Sequence, residues 1–150
     1  MSQEEIEKLT EAIDELTDRV RELEDIEELK AVQANIIYWL CNRQWDDIVQ
    51  CFDSSATLNF QDEEMTGREQ IDRFLHDRCE PKLIPEAGYV LGQPVIAAHG
   101  DKASGYWTLH LFYNNPVRWA QGKIECDFLR DYGIWKIRYW RFTVPWPERA

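Results

Sequence analysis

The sequence has few of the features that mark secreted, membrane-spanning or zinc-binding proteins. Its four cysteines are far apart and form no C-x-x-C pair, so their spacing indicates neither a zinc site nor a redox pair. No run of 18 apolar residues occurs, and the amino terminus lacks the basic start and apolar stretch of a secretory signal. We therefore expect a cytoplasmic protein with reduced thiols, no bound metal and no membrane association.

Basic side chains are also scarce. The chain has 17 Lys and Arg against 28 Asp and Glu, for a net charge of −11. Residues 1–30 alone hold 12 acidic and four basic side chains, so −8 of that charge falls in one segment. Proteins that bind a phosphate backbone carry a basic surface, and the charge therefore argues against a nucleic-acid partner.

Apolar and aromatic residues are abundant by contrast. They make up 44% and 13% of the 150 residues, with seven Trp, six Tyr and six Phe. A chain of this length buries about two-thirds of the surface that it exposes when unfolded, which is enough for a core without disulfides. The composition therefore predicts one packed domain with large sheet surfaces.

Residues 1–24 form a candidate helix with a heptad pattern. Ile and Val occupy the a positions and Leu the d positions, an assortment that favours two parallel strands: Ile6, Leu9, Ile13, Leu16, Val20 and Leu23. Arg19 at a g position and Glu24 at the next e position are placed to pair between chains, and Glu27 at the following a position ends the pattern. We expect a homo-oligomer, a dimer or a trimer, through this helix and a sheet face; packing of the stripe within the chain stays open.

Residues 25–150 are predicted to form the main domain. The helix continues or bends beyond Ile26, where the apolar spacing changes face. A short helix over Trp45–Phe52, a strand over Ala56–Phe60 and a helix over Arg68–Cys79 follow. Four long strands are then expected, at Tyr89–Ala98, Lys102–Tyr113, Val117–Arg130 and Ile134–Val144. Turn signals at Gly100-Asp101, Asn114-Asn115-Pro116 and Tyr132-Gly133 separate them. Helices followed by hairpins predict an α+β fold whose antiparallel sheet curls around the helices.

The order of these elements, together with short motifs along them, resembles the SnoaL-like branch of the nuclear-transport-factor-2-like superfamily. The segments that carry the resemblance are Leu23–Lys30, Arg43–Asp47 with Cys51–Asp53, Thr66–Ile71, Ile96–Ala103 and Gly133–Ile137. The resemblance implies a cystatin-like cone with a pocket between sheet and helices. It also implies cofactor-independent acid/base chemistry on hydrophobic rings, as in polyketide cyclases, steroid isomerases, and scytalone and bile-acid dehydratases.

The chain departs from the residues that these enzymes use. Where dehydratases place a Tyr and an Asp on the first helix, this sequence has Ile36 and Cys41. No His stands near Gly92-Gln93-Pro94, and Cys126 occupies the position of a frequent acid on the penultimate strand. The resemblance therefore predicts the fold more firmly than the reaction.

Three residues remain as candidates for catalysis: His110, Asp127 and Arg141. Alternation places His110 on the strand face opposite Trp107, so it lies either in the pocket or on the outer sheet face at a subunit contact. The same alternation groups Trp135 and Ile137 with Tyr139 and Arg141, which are then predicted to point towards the cavity mouth. Arg141 there binds a substrate oxyanion or pairs with an acid such as Asp46. The predicted pocket lining is Ile36, Leu40, Cys41, Trp107, Cys126, Trp135 and Tyr139.

Two functions from different classes follow from these residues. The first is a cofactor-free dehydratase, isomerase or cyclase acting on a small hydrophobic, cyclic molecule, with His110 or Asp127 moving the proton and Arg141 holding an oxyanion. The second is a non-catalytic domain that binds a small molecule or serves in assembly. An enclosed cavity that His110 and Asp127 reach favours the first, and an interior filled by aromatic side chains favours the second.

Overall fold

The computed structural model describes residues 1–81, 89–113 and 118–143, without the side chains of residues 111–113 and 118. Within these ranges the chain is α+β, with a long N-terminal helix and a curled, unclosed sheet of seven strands. The helices are α1 (Gln3–Cys41), α2 (Trp45–Gln50) and α3 (Arg68–Phe74). The strands are β1 (Phe52–Phe60), β2 (Glu63–Thr66), β3 (Val90–Leu91), β4 (Val95–His99), β5 (Lys102–Tyr113), β6 (Arg118–Asp131) and β7 (Ile134–Thr143). The predicted fold class is confirmed.

Helix α1 runs without interruption through the point where the apolar spacing changes. Its first turn is stabilised by Ser2, whose hydroxyl accepts a hydrogen bond from the Glu5 backbone N–H at 3.2 Å, and by Glu4 and Glu5 beside the positive end of the helix dipole. Residues 1–24 are all exposed, and Asp25 is the first buried residue. The change of apolar face therefore marks the point where one continuous helix reaches the domain.

The segment after α1 differs from the prediction in its boundaries. The short second helix ends at Gln50, and Phe52 already belongs to β1, which is longer than the predicted strand. Strand β1 pairs in parallel with β7, with Phe52 opposite Ile137, and antiparallel with β2, which the sequence did not indicate. Helix α3 ends at Phe74 and continues as a π-helical turn over Leu75–Cys79. Pairing with the distant strand β7 thus extends β1 into a segment whose local pattern favoured a helix.

The hairpins follow the predicted turn signals where the structure describes them. Tyr132 and Gly133 both have positive φ, 50° and 76°, which is the requirement of a two-residue type I′ turn. The first predicted long strand is divided into β3 and β4, which pair with β5 in registers that differ by one residue. The predicted turn at residues 114–116 and the strand ends at residues 117 and 144 lie outside the described residues.

The sheet order is β2-β1-β7-β6-β5-β3, with β4 also paired to β5. Its inner face packs on α1, α2 and α3. Aromatic side chains fill part of this contact: Phe142 on β7 stacks on Phe60 of β1 at 5.2 Å between ring centroids, and Phe60 lies 5.3 Å from Phe74 of α3. The helices therefore occupy the concave side of the sheet, as the sequence predicted.

Candidate functional site

Alternation along β5 and β6 separates an inner face from an outer one. Trp107 and Cys126 lie on the inner face, with 1% and 2% of their surface exposed. Of the other predicted lining residues, Ile36 and Trp135 are buried in the same core, and Leu40 and Cys41 pack against it half-buried. Six of the seven predicted lining residues thus lie on the helix side of the sheet.

His110 lies on the outer face. It is opposite Gln121 in the ladder between β5 and β6, and its ring is 5.7 Å from that of Trp119, a residue that is 61% exposed. Of the two positions that the sequence left open for His110, the structure has the outer one. A proton transfer inside the cone is therefore beyond its reach.

Asp127 also lies on the outer face and is exposed. It stands opposite Ser104 of β5 and Tyr139 of β7. These three residues line an outer groove with a volume of about 360 Å³, to which Tyr106 and Glu125 also contribute. An adjoining depression of about 690 Å³ shares Ser104 and Asp127. The carboxylate is thus available in a surface groove and does not face the core.

The prediction that Tyr139 and Arg141 point towards the cavity mouth is wrong. Between Asp127 and Phe128 the register of β6 with β7 shifts, so that Phe128 pairs with Ile137 and Asp127 with Tyr139. Arg138 is the extra residue, and a bulge of one residue reverses the faces of every residue after it. Trp140 and Phe142 consequently face the core, and Tyr139 and Arg141 face outwards.

The outward position of Arg141 determines its partner. Its Nη2 lies 3.6 Å from Oδ1 of Asp62, a carboxylate with 84% of its side chain exposed. The predicted pairing with Asp46 is therefore replaced by a surface ion pair at the turn after β1. An exposed pair of this kind contributes little to stability.

The inner face holds a polar residue that the sequence analysis missed. Gln33 of α1 is fully buried, with none of its surface exposed. Its Oε1 accepts a weak hydrogen bond from the Cys126 thiol at 3.8 Å, and its Nε2 has no hydrogen-bond partner among the described residues. The same holds for the buried Nε1 of Trp135. The sequence did indicate that Gln33 is buried, because it follows Leu29 at the four-residue spacing of the buried helical face.

The environment of Cys126 makes its thiol a weak nucleophile. Burial raises the pKa of its thiol well above the ordinary value, and the charges of Asp127 and Glu125 add to the effect. Burial likewise raises the pKa of the Cys51 and Cys41 thiols. A protonated thiol is a poor nucleophile, so Cys126 serves as a small core residue and a donor to Gln33.

A charged network joins α1 to the sheet. Arg130 of β6 donates from Nη1 to the largely buried carboxylate of Asp25, from Nε to Asp101 at 3.0 Å and from Nη2 to the Gly100 carbonyl oxygen at 2.7 Å. Its guanidinium lies 4.5 Å from the ring centroid of Trp135. Each of the three guanidinium nitrogens of this arginine donates a hydrogen bond that holds elements together, which indicates a structural role.

One His-containing cluster among the described residues has the spacing of metal ligands. It consists of Asp46, Asp72 and His76, whose ligand atoms lie within 4.8 Å of one another. His76 already pairs with Asp72 at 3.4 Å and with Glu80 at 3.5 Å, and these side chains are over 40% exposed. The cluster therefore consists of partly exposed side chains on neighbouring helices that already contact one another.

No described helix combines the length and the hydropathy that a membrane span requires. A search of curated protein sequences finds no match to the chain. The sequence profile of a family described as the SnoaL-like domain matches residues 21–141, which leaves out the exposed first part of α1.

Solved structures with the same fold share little sequence with the chain. One is an NTF2-like protein with a cystatin-like fold from Novosphingobium aromaticivorans, at 16% identity and a TM-score of 0.75, over 87% of this chain and 88% of that one. Another, provisionally described as a scytalone dehydratase of the same organism, has 13% identity and a TM-score of 0.72, over 85% and 91%. A protein of unknown function from Nostoc punctiforme has 14% identity and a TM-score of 0.69, over 80% and 90%.

Proposed function

Because the chain belongs to the SnoaL-like domain family, we propose that it binds a small, largely apolar molecule inside its cone and recognises an oxygen acceptor on that molecule through Gln33. The observation that carries the proposal is the buried Nε2 of Gln33, which has no partner among the described residues. A buried donor left without an acceptor costs about 1–3 kcal/mol. A bound carbonyl, ether or hydroxyl oxygen recovers that free energy.

The surroundings of Gln33 support a neutral, apolar ligand. Its neighbour Cys126 is flanked in the sheet by Gly105 and Trp140, and Leu29 and Ile36 lie on the same face of α1. Among the described inner-face residues, the carboxylate of Asp25 is already paired with Arg130. An anionic or cationic ligand would therefore meet no free charge of opposite sign among them, whereas an apolar ring with one acceptor meets matching groups.

The test uses two ligands that differ in one acceptor, 1-tetralone and tetralin. By titration calorimetry, the ketone should bind more tightly than its hydrophobicity alone predicts, by about 1 kcal/mol or roughly fivefold for one net hydrogen bond. Gln33→Leu should abolish that excess, and the exposed Gln121→Leu should keep it. The preference is compared between variants, so that the differing water solubility of the two ligands cancels.

A second measurement separates recognition from a structural role. If Nε2 of Gln33 is unsatisfied in the free protein, Gln33→Leu should raise the thermal midpoint of the ligand-free chain while it weakens ketone binding. A loss of stability, or a ketone preference that survives the substitution, would contradict the role of Gln33.

A second candidate is acid/base catalysis in the outer groove, as a cofactor-independent dehydratase, isomerase or cyclase. The observation that favours it is the placement of the Asp127 carboxylate opposite the Tyr139 phenol in a groove of about 360 Å³, since both groups move protons in enzymes. The solved structure described as a scytalone dehydratase is 13% identical, which supports the fold and not the reaction.

The two candidates differ in proton exchange. An enzyme of this class breaks a C–H bond next to a carbonyl, so in D₂O it should exchange the C2 protons of 1-tetralone for deuterium faster than buffer does. Proton NMR measures that rate directly. Exchange that is lost in Asp127→Asn supports the second candidate, and saturable ketone binding without accelerated exchange supports the first.

A further inference from the structure

The first 22 residues of α1, residues 3–24, form an arm that projects from the domain. At 1.5 Å per residue the arm is about 33 Å long, and every residue in it is exposed. Its heptad stripe is exposed as well: the fractions are 44% for Ile6, 51% for Leu9, 62% for Ile13, 60% for Leu16, 51% for Val20 and 64% for Leu23. Packing of this stripe within the chain, which the sequence left open, therefore does not occur among the described residues.

The arm ends at Glu24, where the domain begins. Asp25, the next residue, is buried and pairs with Arg130 of β6, and Glu27 occupies the a position at which a longer seam would continue. Since the arm extends a helix that the domain already holds, its nucleation cost is met and only its exposed apolar stripe remains unfavourable. The stripe thus has the length of three heptads and a defined end.

We propose that the stripe is covered by the arm of a second copy of this chain, in a parallel two-stranded coiled coil. The three a positions carry β-branched residues and the three d positions carry Leu. This assortment favours parallel dimers, whereas trimers prefer Ile at both positions. The dimer therefore follows from side-chain shape at the seam.

Charge at the flanking positions selects the parallel orientation. In a parallel pair, Arg19 at g lies beside Glu24 at e of the other copy, and symmetry forms this contact twice. In an antiparallel pair with matched apolar layers, g positions face g positions, and Arg19 lies beside Ala12 instead. Only the parallel arrangement brings opposite charges together at both edges of the seam.

The rest of the arm gives the dimer an unusual response to salt. Residues 1–24 carry nine acidic and three basic side chains, so two parallel arms repel each other at long range. Added salt screens that repulsion while the apolar seam persists. The dissociation constant should therefore fall as NaCl rises from 50 mM to 500 mM, the reverse of a complex held by ion pairs.

Sedimentation equilibrium on the full chain tests the assembly. The expected mass is twice 17.9 kDa. The seam variant Leu9→Gln with Leu16→Gln should raise the dissociation constant at least about 100-fold, because each substitution removes two buried Leu side chains from the dimer. The matched control, Glu11→Gln with Asp18→Gln on the outer side of the arm, should dimerise at least as tightly as the parent.

Orientation is tested by one added cysteine at Ser2, the N-cap residue directly before the arm. Ser2→Cys lies at a d position, where two parallel copies meet and antiparallel copies lie about 37 Å apart. Mild oxidation should give a covalent dimer on a non-reducing gel that the parent chain does not give. A monomeric or trimeric parent, a dimer that survives in the seam variant, or no cross-link through Ser2→Cys would each overturn the proposal.

Discussion

Replacing Arg130 with Met should destabilise the protein far more than removing its exposed partner Asp101. The two carboxylates that Arg130 contacts differ in burial: the side chain of Asp25 is 12% exposed and that of Asp101 is 74% exposed. Breaking a buried ion pair by removing one partner costs about 3–5 kcal/mol, because a charge stays buried without compensation. An exposed pair contributes about 0–1 kcal/mol.

The expected magnitudes follow from these exposures. Because Asp25 keeps some contact with water, Arg130→Met should cost about 3 kcal/mol, near the lower end of the buried range. Asp101→Asn should cost at most about 1 kcal/mol. For a chain of this size these values correspond to falls in the thermal midpoint of about 6–12 °C and at most about 4 °C.

A double variant makes the reasoning refutable. Asp25→Asn in the Arg130→Met background removes the stranded charge, so it should recover about 1–2 kcal/mol of the loss. Urea unfolding followed by circular dichroism measures all three variants, at one fixed protein concentration because association would shift the midpoint. Equal losses of stability in Arg130→Met and Asp101→Asn, or no recovery in the double variant, would refute the role of Arg130 in compensating the buried charge of Asp25.

Three further outcomes follow from the packing of the inner face. In Gly122→Ala the new Cβ would lie 2.1 Å from the buried ring of Phe142. The substitution should lower the free energy of unfolding in urea by about 1–3 kcal/mol, and the added variant Phe142→Leu should recover part of that loss. The control substitution at an exposed position, Gln121→Ala, should change the free energy of unfolding by at most about 0.5 kcal/mol. The thiol of Cys126 should react with iodoacetamide at pH 8 more slowly than that of half-buried Cys51, as measured by mass spectrometry, and equal rates would contradict its burial. Burial makes the pKa of the Cys126 thiol higher in the folded chain than in the unfolded one. The thiol therefore stabilises the fold at a pH below its unfolded pKa, and this contribution is lost as the pH rises above about 9. Cys126→Ala should accordingly make the alkaline fall in stability shallower.

Local patterns predicted most of the secondary structure because their causes are local. The heptad spacing of Ile6 to Leu23 marks one helical face, and the turn at Tyr132-Gly133 requires positive φ at both residues. Alternation along β5 and β6 separated Trp107 from His110 correctly, since side chains on a regular strand point to opposite faces in turn. These features need no knowledge of what lies across the sheet.

The errors occurred where distant parts of the chain determine the outcome. The extra residue Arg138 arises from the register of β7 against β6, and no local signal announced it, so Tyr139 and Arg141 were assigned to the wrong face. The parallel pairing of Phe52 with Ile137 likewise extended β1 into a segment with a helical pattern. Gln33 was overlooked because a polar residue counts against a helix face until its burial is known.

The sequence by itself determined the α+β class, the family and the heptad spacing of the arm, because periodicity, turn chemistry and short motifs are properties of neighbouring residues. Only the tertiary structure decided which side of the sheet each candidate residue occupies. It settled the outer of two open positions for His110, turned Tyr139 and Arg141 from the predicted cavity mouth to the outer face, and put Gln33 inside the cone. For Tyr139 and Arg141 the physical reason is that one inserted residue reverses a strand's faces, and such an insertion is defined only by the strand that pairs with it.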